Sequence, residues 1–356
     1  MNNFSGLQAT AFPYRLQFKQ PAGTSRGTLH SKISWMLRVT DAQGTEGLGE
    51  CGPLPGLSYD DRPDFGTRLL RLCEQFNGGE EAVFHESIHD YPSIRFGFEM
   101  ALRDLAGGGR RLLYPSAFTQ GVQAVPINGL IWMGDLRFME RQLADKLLDG
   151  YTTLKMKVGA IDFAQELRLL DDIRARFPAE ELTLRVDANG AWSPAEAREK
   201  LEQLAPLHIH SIEQPIAAGQ HEAMASLAAN SPVPIALDEE LIGHSETDAG
   251  ALLDALKPPF IVLKPTLLGG FAASECWIAA AEARGIGWWV TSALESNIGL
   301  NAIAQWTATL GNALPQGLGT GSLYTNNFAC PLVTEGGYLH YRPQNAWELS
   351  HFRDNL

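Results

Sequence analysis

The second half of the chain alternates short apolar runs with longer amphipathic stretches. From about Val125 onward, this alternation predicts repeated strand–helix units whose strands pair in a parallel sheet. Eight strands are predicted, at residues 125–129, 153–158, 182–187, 209–213, 235–238, 260–264, 287–292 and, more weakly, 316–319. Eight strands are the number that closes a (β/α)-barrel, so the pattern predicts an α/β fold of this type.

The segments between these strands carry helix signals. After the second predicted strand, apolar residues recur at spacings of three and four, at Phe163, Leu167, Leu170, Ile173 and Phe177. After the third strand, Ser193 and Glu196 form a capping-box pattern with Pro194 between them, which predicts a helix that begins there. These signals support helices between the barrel strands.

The first 120 residues follow a different pattern. Residues 31–40 alternate as a strand does, residues 93–105 have one apolar helix face, and residues 44–57 are rich in Gly and Pro, which predicts loops. No further strand–helix unit follows Tyr324. We therefore expect an α+β domain with mobile lid loops at 1–120, the barrel at 121–323, and a C-terminal segment, 324–356, that packs back on the first domain.

Composition and charge narrow the function. The chain has 356 residues, 45% of them hydrophobic, and a net charge of −13, which argues against a nucleic-acid surface. The four cysteines form no C-x-x-C pair, so neither a zinc site nor a disulfide framework is expected. No secretory signal or apolar membrane span is visible, and we expect a cytoplasmic enzyme.

Charged residues stand at the carboxyl ends of five consecutive predicted strands. They are Lys155, Lys157, Asp187, Glu213, Asp238 and Lys264. From Lys157 to Lys264 the intervals are 25 to 30 residues, about one strand–helix unit each, so these side chains return to the same rim of the barrel. Singly, each would be a helix cap or a surface charge; their coincidence at that rim favours an active site.

The three carboxylates predict a metal site. Asp187, Glu213 and Asp238 offer hard oxygen ligands without a nearby His or Cys, which favours Mg²⁺, with Mn²⁺ as a possible substitute, over Zn²⁺. Lys155 and Lys157 are two residues apart on one strand and project to the same face. We expect the two ammonium groups to lower each other's pKa, which would leave a neutral lysine as a general base.

The segment after the seventh predicted strand has two interpretations. Ser292, Glu295, Ser296 and Asn297 precede a helix, where backbone N–H groups can bind a substrate anion. Ordinary helix capping explains the same residues equally well.

Five motifs in this order resemble the enolase superfamily, in its muconate-lactonizing-enzyme subgroup. They are Leu154-Lys155-Met156-Lys157, Arg185-Val186-Asp187-Ala188-Asn189, Ile212-Glu213-Gln214-Pro215, Leu237-Asp238-Glu239 and Leu263-Lys264-Pro265. The resemblance covers nearly the whole chain and implies a modified barrel under an N-terminal capping domain. A lysine base working with Mg²⁺ is known chemistry of that superfamily.

The segments 292–299 and 317–321 resemble the o-succinylbenzoate synthase family within that subgroup. This resemblance implies that Asp187, Glu213 and Asp238 bind Mg²⁺ and that the substrate is a small cyclohexadiene carboxylate. It implies that Lys157 removes the proton next to the carboxylate, that Lys264 stabilises the enediolate, and that Lys155 contacts the carboxylate. Ser292, Gly319 and Asn297 are the expected further substrate contacts.

Other activities of the subgroup share these motifs. Dipeptide epimerases carry an Asp-x-Asp motif after the last strand, and residues 319–325 contain no Asp. N-succinylamino acid racemisation needs a lysine on each face of the substrate, which Lys157 and Lys264 would supply. A barrel with a relict site would have lost one of the lysines or carboxylates, and all of them are present. The oligomeric state is left open.

Overall fold

The computed structural model describes residues 4–24, 27–132, 134–159 and 161–350. The N-terminal part contains strands β1 (Gln8–Thr24), β2 (Gly27–Thr40) and β3 (Glu46–Cys51), and helices α1 (Phe65–Asn77), α2 (Glu81–Ile88) and α3 (Pro92–Ala106). The three strands form an antiparallel sheet in the order β1-β2-β3, and α3 packs on it.

In the rest of the chain, strands and helices mostly alternate. They are β4 (Val125–Pro126), β5 (Gly129–Ile131), α4 (Leu136–Leu148), β6 (Thr153–Lys157), α5 (Phe163–Arg176), β7 (Thr183–Asp187), α6 (Pro194–Leu204), β8 (Ser211–Glu213), α7 (His221–Asn230), β9 (Ile235–Leu237), α8 (Ala249–Leu256), β10 (Phe260–Leu263), α9 (Pro265–Leu268), α10 (Phe271–Glu282), β11 (Gly287–Val290), α11 (Asn297–Thr309), β12 (Leu332–Glu335) and β13 (Tyr338–Tyr341). None of the helices in the described part of the chain is both long and apolar enough for a membrane span.

The curled parallel sheet runs β11-β10-β9-β8-β7-β6-β5. Six of the predicted strands match β6 to β11 within two residues at each end, which confirms the barrel-type fold. The Ser193–Glu196 capping box is also present, at the start of α6. These elements were predictable because their buried strand residues alternate with one-sided amphipathic helices.

The first predicted barrel strand, 125–129, is wrong in its position. Val125 and Pro126 pair antiparallel with β13, and Gly129 is the first residue that pairs with β6. Val125, Ile127 and Ile131 are all buried, so the apolar pattern continues across both segments. Hydrophobicity alone does not show where a chain changes its pairing partner.

The predicted eighth strand is reduced to a two-residue segment, Gln316 and Gly317. Gln316 bridges Ile127 and Gly317 bridges Thr291, both in parallel, so the segment joins the two edges of the sheet. Its backbone bonds are 2.8 to 3.2 Å long: Gln316 donates to Pro126, Gly317 to Val290, Asn128 to Gln316 and Ser292 to Gly317. These four bonds close the barrel.

We predict that Gly317→Ala destabilises the protein by about 1–3 kcal/mol, whereas Gly319→Ala changes its stability little. A Cβ at Gly317 would lie 2.2 Å from Thr291 Oγ1, so the barrel seam would have to shift. At Gly319 the nearest atom, Ile127 Cδ1, would be 3.4 Å away, an ordinary contact. Urea unfolding of both variants measures the difference, and equal stability would contradict this account of closure.

The Gly- and Pro-rich segment 44–57 was predicted to be loop, and for Glu46–Cys51 that prediction is wrong because these residues form β3. The glycines serve close packing instead. A Cβ at Gly47 would lie 1.9 Å from the carbonyl oxygen of Ala101, and one at Gly49 would lie 2.0 Å from that of Gly97. Glycine therefore lets the backbone of α3 approach the strand.

A buried polar cluster joins the N-terminal sheet to the barrel. Glu50 on β3 accepts hydrogen bonds from Ser34 Oγ (2.7 Å), from the backbone N–H (2.9 Å) and hydroxyl of Ser296, and from Gly299 N–H (3.1 Å). Lys32 donates to Ser34 Oγ at 3.1 Å. The segment that follows β11 is thereby fixed against the N-terminal sheet.

Residues 326–341 contact both parts of the molecule. Tyr14 donates its hydroxyl to the carbonyl of Asn326 at 2.8 Å, and Phe328 packs against Met36 of β2. The hairpin β12–β13 pairs with β4 below the barrel.

Candidate active site

The parallel register brings the charged residues to one level of the barrel. Lys157 pairs directly with Asp187, and Asp187 with Glu213, on three neighbouring strands. Asp238 and Lys264 directly follow the next two strands, β9 and β10. Because parallel strands end at the same edge of a sheet, these side chains share the carboxyl-terminal rim.

Each lysine of this group contacts a carboxylate. Lys155 Nζ lies 2.9 Å from Asp187 Oδ2 and also donates to Glu213. Lys157 Nζ is 3.4 Å from the same oxygen of Asp187. On the other side, Lys264 Nζ lies 2.5 Å from Asp238 Oδ2. The structure thus brings together all six residues that the sequence singled out at this rim.

The predicted lowering of the Lys155 pKa is wrong. Burial does lower it, but Asp187, Glu213 and Asp238 outweigh that effect and raise the pKa above its ordinary value. The carboxylates, rather than the neighbouring ammonium group, therefore control this lysine. Burial raises the pKa of Glu213 to about 7, because Lys155 compensates only part of its desolvation.

Two further polar residues of the site were not assigned from the sequence. Asn189 Oδ1 accepts a hydrogen bond from Lys157, and Asn189 Nδ2 donates to Glu239 Oε1 at 3.0 Å. The Asn189 backbone N–H donates to Asp187 Oδ1 at 3.0 Å. Asn189 therefore links Lys157 to two carboxylates. The sequence signal for Asn189 was its position two residues after Asp187, in the motif Arg185-Val186-Asp187-Ala188-Asn189.

A cavity of about 280 Å³ opens above these groups. Its floor carries the three lysines with Asp187, Asn189 and Glu239. Its walls are largely apolar and come from both parts of the chain: Leu54, Leu57, Trp132, Leu294 and Leu323. A small organic acid suits a site that has a charged floor and apolar walls.

Of the three predicted substrate contacts, two line the cavity and one does not. Ser292 and Gly319 line the cavity, and Ser292 Oγ is 2.7 Å from Thr320 Oγ1. The Asn297 side chain instead donates to the carbonyl of Phe328 at 2.6 Å, and Asn297 is not among the described residues that line the cavity. Ser296 accepts from the N–H of Ile298, so helix capping accounts for Ser296.

The oxygen donors of the three carboxylates are of the type that a hard divalent cation prefers. Asp187, Glu213 and Asp238 offer carboxylate oxygens only, and Glu213 Oε1 is buried without a hydrogen-bond partner. Within the described part of the chain, no three His, Cys, Asp or Glu side chains lie in a ready metal-binding arrangement. Lys155 contacts Glu213, and Lys264 contacts Asp238. By the chemistry of their oxygen donors, the three carboxylates fit Mg²⁺.

Comparisons with known proteins place the chain in a family. Residues 139–345 match the model of the enolase C-terminal domain-like family, and residues 7–105 match the MenC N-terminal domain. An o-succinylbenzoate synthase from Desulfotalea psychrophila is 47% identical, over 94% of this chain and 99% of the relative. The chain belongs to the o-succinylbenzoate synthase family. It is accordingly an enzyme, and o-succinylbenzoate synthases are lyases of menaquinone biosynthesis.

Solved structures agree with membership in the o-succinylbenzoate synthase family. The crystal structure of MenC from Desulfotalea psychrophila covers 94% of this chain and 100% of its own, with a TM-score of 0.80 and 44% identity. Muconate lactonizing enzyme from Pseudomonas fluorescens, complexed with muconolactone, covers 99% of both chains with a TM-score of 0.83 and 25% identity. The family therefore lies in the enolase superfamily, which confirms the resemblance of the motifs.

Proposed function

We propose that this chain catalyses the Mg²⁺-dependent syn-dehydration of 2-succinyl-6-hydroxy-2,4-cyclohexadiene-1-carboxylate to o-succinylbenzoate. The observation that carries the proposal is the arrangement at the floor of a cavity with apolar walls. There Lys157 and Lys264 lie on opposite sides of the cluster of three protein carboxylates, where Lys157 contacts Asp187 and Lys264 contacts Asp238. The family relationship supports the same reaction.

Asp187, Glu213 and Asp238 would hold the metal, with Mn²⁺ as a possible substitute. When bound, Mg²⁺ supplies positive charge beside the substrate carboxylate and so stabilises the charge that develops there. A fold relative of 21% identity, a dipeptide epimerase from Enterococcus faecalis, was solved as a complex with Mg and a dipeptide. The unpartnered Glu213 Oε1 supports a cation at this position.

Lys157 acts as the base in this proposal. Its amine removes the proton from the ring carbon that bears the carboxylate, and the electron pair of that C–H bond moves onto the carboxylate, which becomes an enediolate. The electron pair then forms a ring double bond as the neighbouring C–O bond breaks. The same ammonium gives its proton to the departing hydroxyl, so that water leaves from the same face. Asn189 orients the Lys157 amine through its side-chain hydrogen bond.

The other residues bind the substrate and stabilise the enediolate. Lys264, on the opposite side, places an ammonium group beside the enediolate, and Lys155 contacts the substrate carboxylate. Ser292 and Gly319 line the cavity where the succinyl chain would lie. Asn297 acts indirectly, since its side chain ties the segment after β11 to Phe328.

N-succinylamino acid racemisation is the second candidate. It requires one lysine to remove a proton and another to return it on the opposite face, and Lys157 and Lys264 are placed for this. The same apolar walls would accept the N-succinyl group.

The proposal includes a domain organisation of the chain. Residues 1–120 would form the capping domain, which contributes Leu54 and Leu57 to the cavity, residues 121–323 the catalytic barrel, and residues 324–356 a segment that returns to the cap. A cytoplasmic location agrees with free thiols at Cys51, Cys73, Cys276 and Cys330.

Ultraviolet absorbance of the purified protein with Mg²⁺ and the cyclohexadiene substrate tests the reaction. We expect rapid loss of the diene absorbance, which a chelator abolishes and added Mg²⁺ restores. If a folded, Mg²⁺-loaded protein leaves the diene unchanged but racemises N-succinylamino acids, the second candidate replaces the first.

A further inference from the structure

The cavity extends sideways through a gap in the outer layer of the barrel. In a (β/α)-barrel each strand is followed by a helix that covers the sheet. Residues 318–331, which follow the barrel-closing segment, form turns and contain no helix. The cavity therefore reaches past Gly319 to the side of α4, where Gln142 and Lys146 line it.

Two polar side chains, those of Lys146 and Tyr151, meet at this end of the cavity, close to the backbone of Asn128. The Lys146 Nζ lies 4.8 Å from the centre of the Tyr151 ring. The side chains of Lys146 and Tyr151 both lie against Gly129, since a Cβ built there would be 3.1 Å from Lys146 Cδ and from Tyr151 Cδ1. A Cβ at Gly319 would be 3.9 Å from the Tyr151 hydroxyl and 3.8 Å from the backbone oxygen of Asn128.

The side chain of Asn128, which also lines the cavity, is not satisfied by the protein. Asn128 is only 4% exposed, and its side-chain oxygen has no hydrogen-bond partner. Buried side-chain amides are normally satisfied, so an unpartnered one beside a cavity calls for a bound group. The amide can present either its oxygen or its nitrogen, because a rotation of the side chain exchanges them.

Lys146 differs from the other lysines of the cavity. Lys155, Lys157 and Lys264 each contact a carboxylate of the protein. Among the described residues, Lys146 has no carboxylate partner, and its ammonium group instead lies over the Tyr151 ring. On the side of α4, the cavity thus carries a positive charge that no carboxylate among the described residues neutralises.

We propose that Lys146, Tyr151 and Asn128 form an anion subsite that binds the second carboxylate of a dicarboxylate substrate. The inference rests on the proposed function, whose substrate carries a carboxylate on the ring and another at the end of the succinyl chain. The ring carboxylate lies at the catalytic floor, and the two methylenes of the chain lead along the apolar walls to Lys146. Burial raises the pKa of Tyr151 to about 12, so its hydroxyl stays protonated and can donate.

Calorimetry with Mg²⁺-loaded protein tests this subsite with two ligands. One is o-succinylbenzoate, and the other is 2-butanoylbenzoate, in which a methyl group replaces the distal carboxylate. We expect Lys146→Met to raise the Kd of o-succinylbenzoate about tenfold and to leave that of 2-butanoylbenzoate within about twofold, because one charge-assisted hydrogen bond is lost. Tyr151→Phe should act in the same direction, by about threefold.

Arg141→Met is the matched control, because it removes the same charge from the same helix and Arg141 does not line the cavity. It should leave both dissociation constants unchanged. The proposal is overturned if Lys146→Met affects the two ligands equally, if it affects neither, or if the wild type does not bind o-succinylbenzoate. If the wild type fails to dehydrate the diene yet discriminates the ligands through Lys146, the proposed reaction is wrong and the subsite stands.

Discussion

Replacement of Lys157 with alanine is expected to lower turnover by about 10⁴-fold, the upper end of general acid–base catalysis. The large effect follows from the double role of this lysine, which removes a proton from carbon and returns it to the departing hydroxyl. Single-turnover loss of the diene absorbance measures it. A variant that keeps a tenth or more of the wild-type rate would remove Lys157 from the role of base.

The fold should survive the Lys157→Ala change. The Lys157 side chain contacts Asp187 and Asn189, and Asp187 retains Lys155 at 2.9 Å when Lys157 is lost. Circular dichroism should therefore match the wild type, and Mg²⁺ titration should show binding at least as tight, because one positive charge beside Asp187 is removed. Lys200→Ala is the matched control, since Lys200 lies on α6 in the outer layer of the barrel and is absent from the residues that line the cavity. It should leave turnover unchanged.

The positions of the catalytic groups were predictable because they depend on regular structure. Asp187 and Glu213 end buried parallel strands, and the spacing of one strand–helix unit places each beside the next. The direction of the Lys155 pKa shift was not predictable in the same way. It depends on the distances to three carboxylates on other strands, which strand parity does not give.

The irregular parts of the fold were harder to predict. Gly47 and Gly49 indicated a loop, yet they occupy a strand because α3 approaches its backbone closely. Asn189, two residues after the end of β7, adopts a left-handed backbone conformation with φ of 44°. Only the folded rim shows that its side chain accepts a hydrogen bond from Lys157. Such contacts join residues that are distant in sequence, and local patterns do not encode them.

The lateral end of the cavity illustrates the same limit. Lys146 belongs to the amphipathic pattern of α4 and carries no sequence signal of function. Its position matters because the segment after Gly317 contains no covering helix, and because Gly129 allows its side chain to lie against the sheet. A missing element therefore creates the space in which an ordinary surface lysine can face a substrate.

Asp238→Ala is expected to weaken Mg²⁺ binding by at least about 100-fold, because loss of a direct ligand should exceed the 10- to 100-fold effect of outer contacts. The same substitution leaves Lys264 without the carboxylate that it contacts at 2.5 Å. The added local positive charge opposes a divalent cation further. Calorimetric titration of the chelator-treated protein with Mg²⁺ measures the affinity directly and does not depend on activity.

Two variants separate ligand loss from the loss of one negative charge. Asp254→Ala removes a carboxylate that pairs with Arg284 on the outer surface, and it should leave the Mg²⁺ affinity unchanged. Asp238→Asn preserves the shape of the side chain but removes its charge, and it should weaken Mg²⁺ binding nearly as much as alanine does, since Mg²⁺ prefers carboxylate oxygens. Unchanged affinity in both Asp238 variants would mean that Asp238 is not a ligand. The two remaining carboxylates, Asp187 and Glu213, would then have to hold the cation with a different third group. Glu239 is the candidate for that group, because it lines the same cavity floor and its Oε2 has no hydrogen-bond partner.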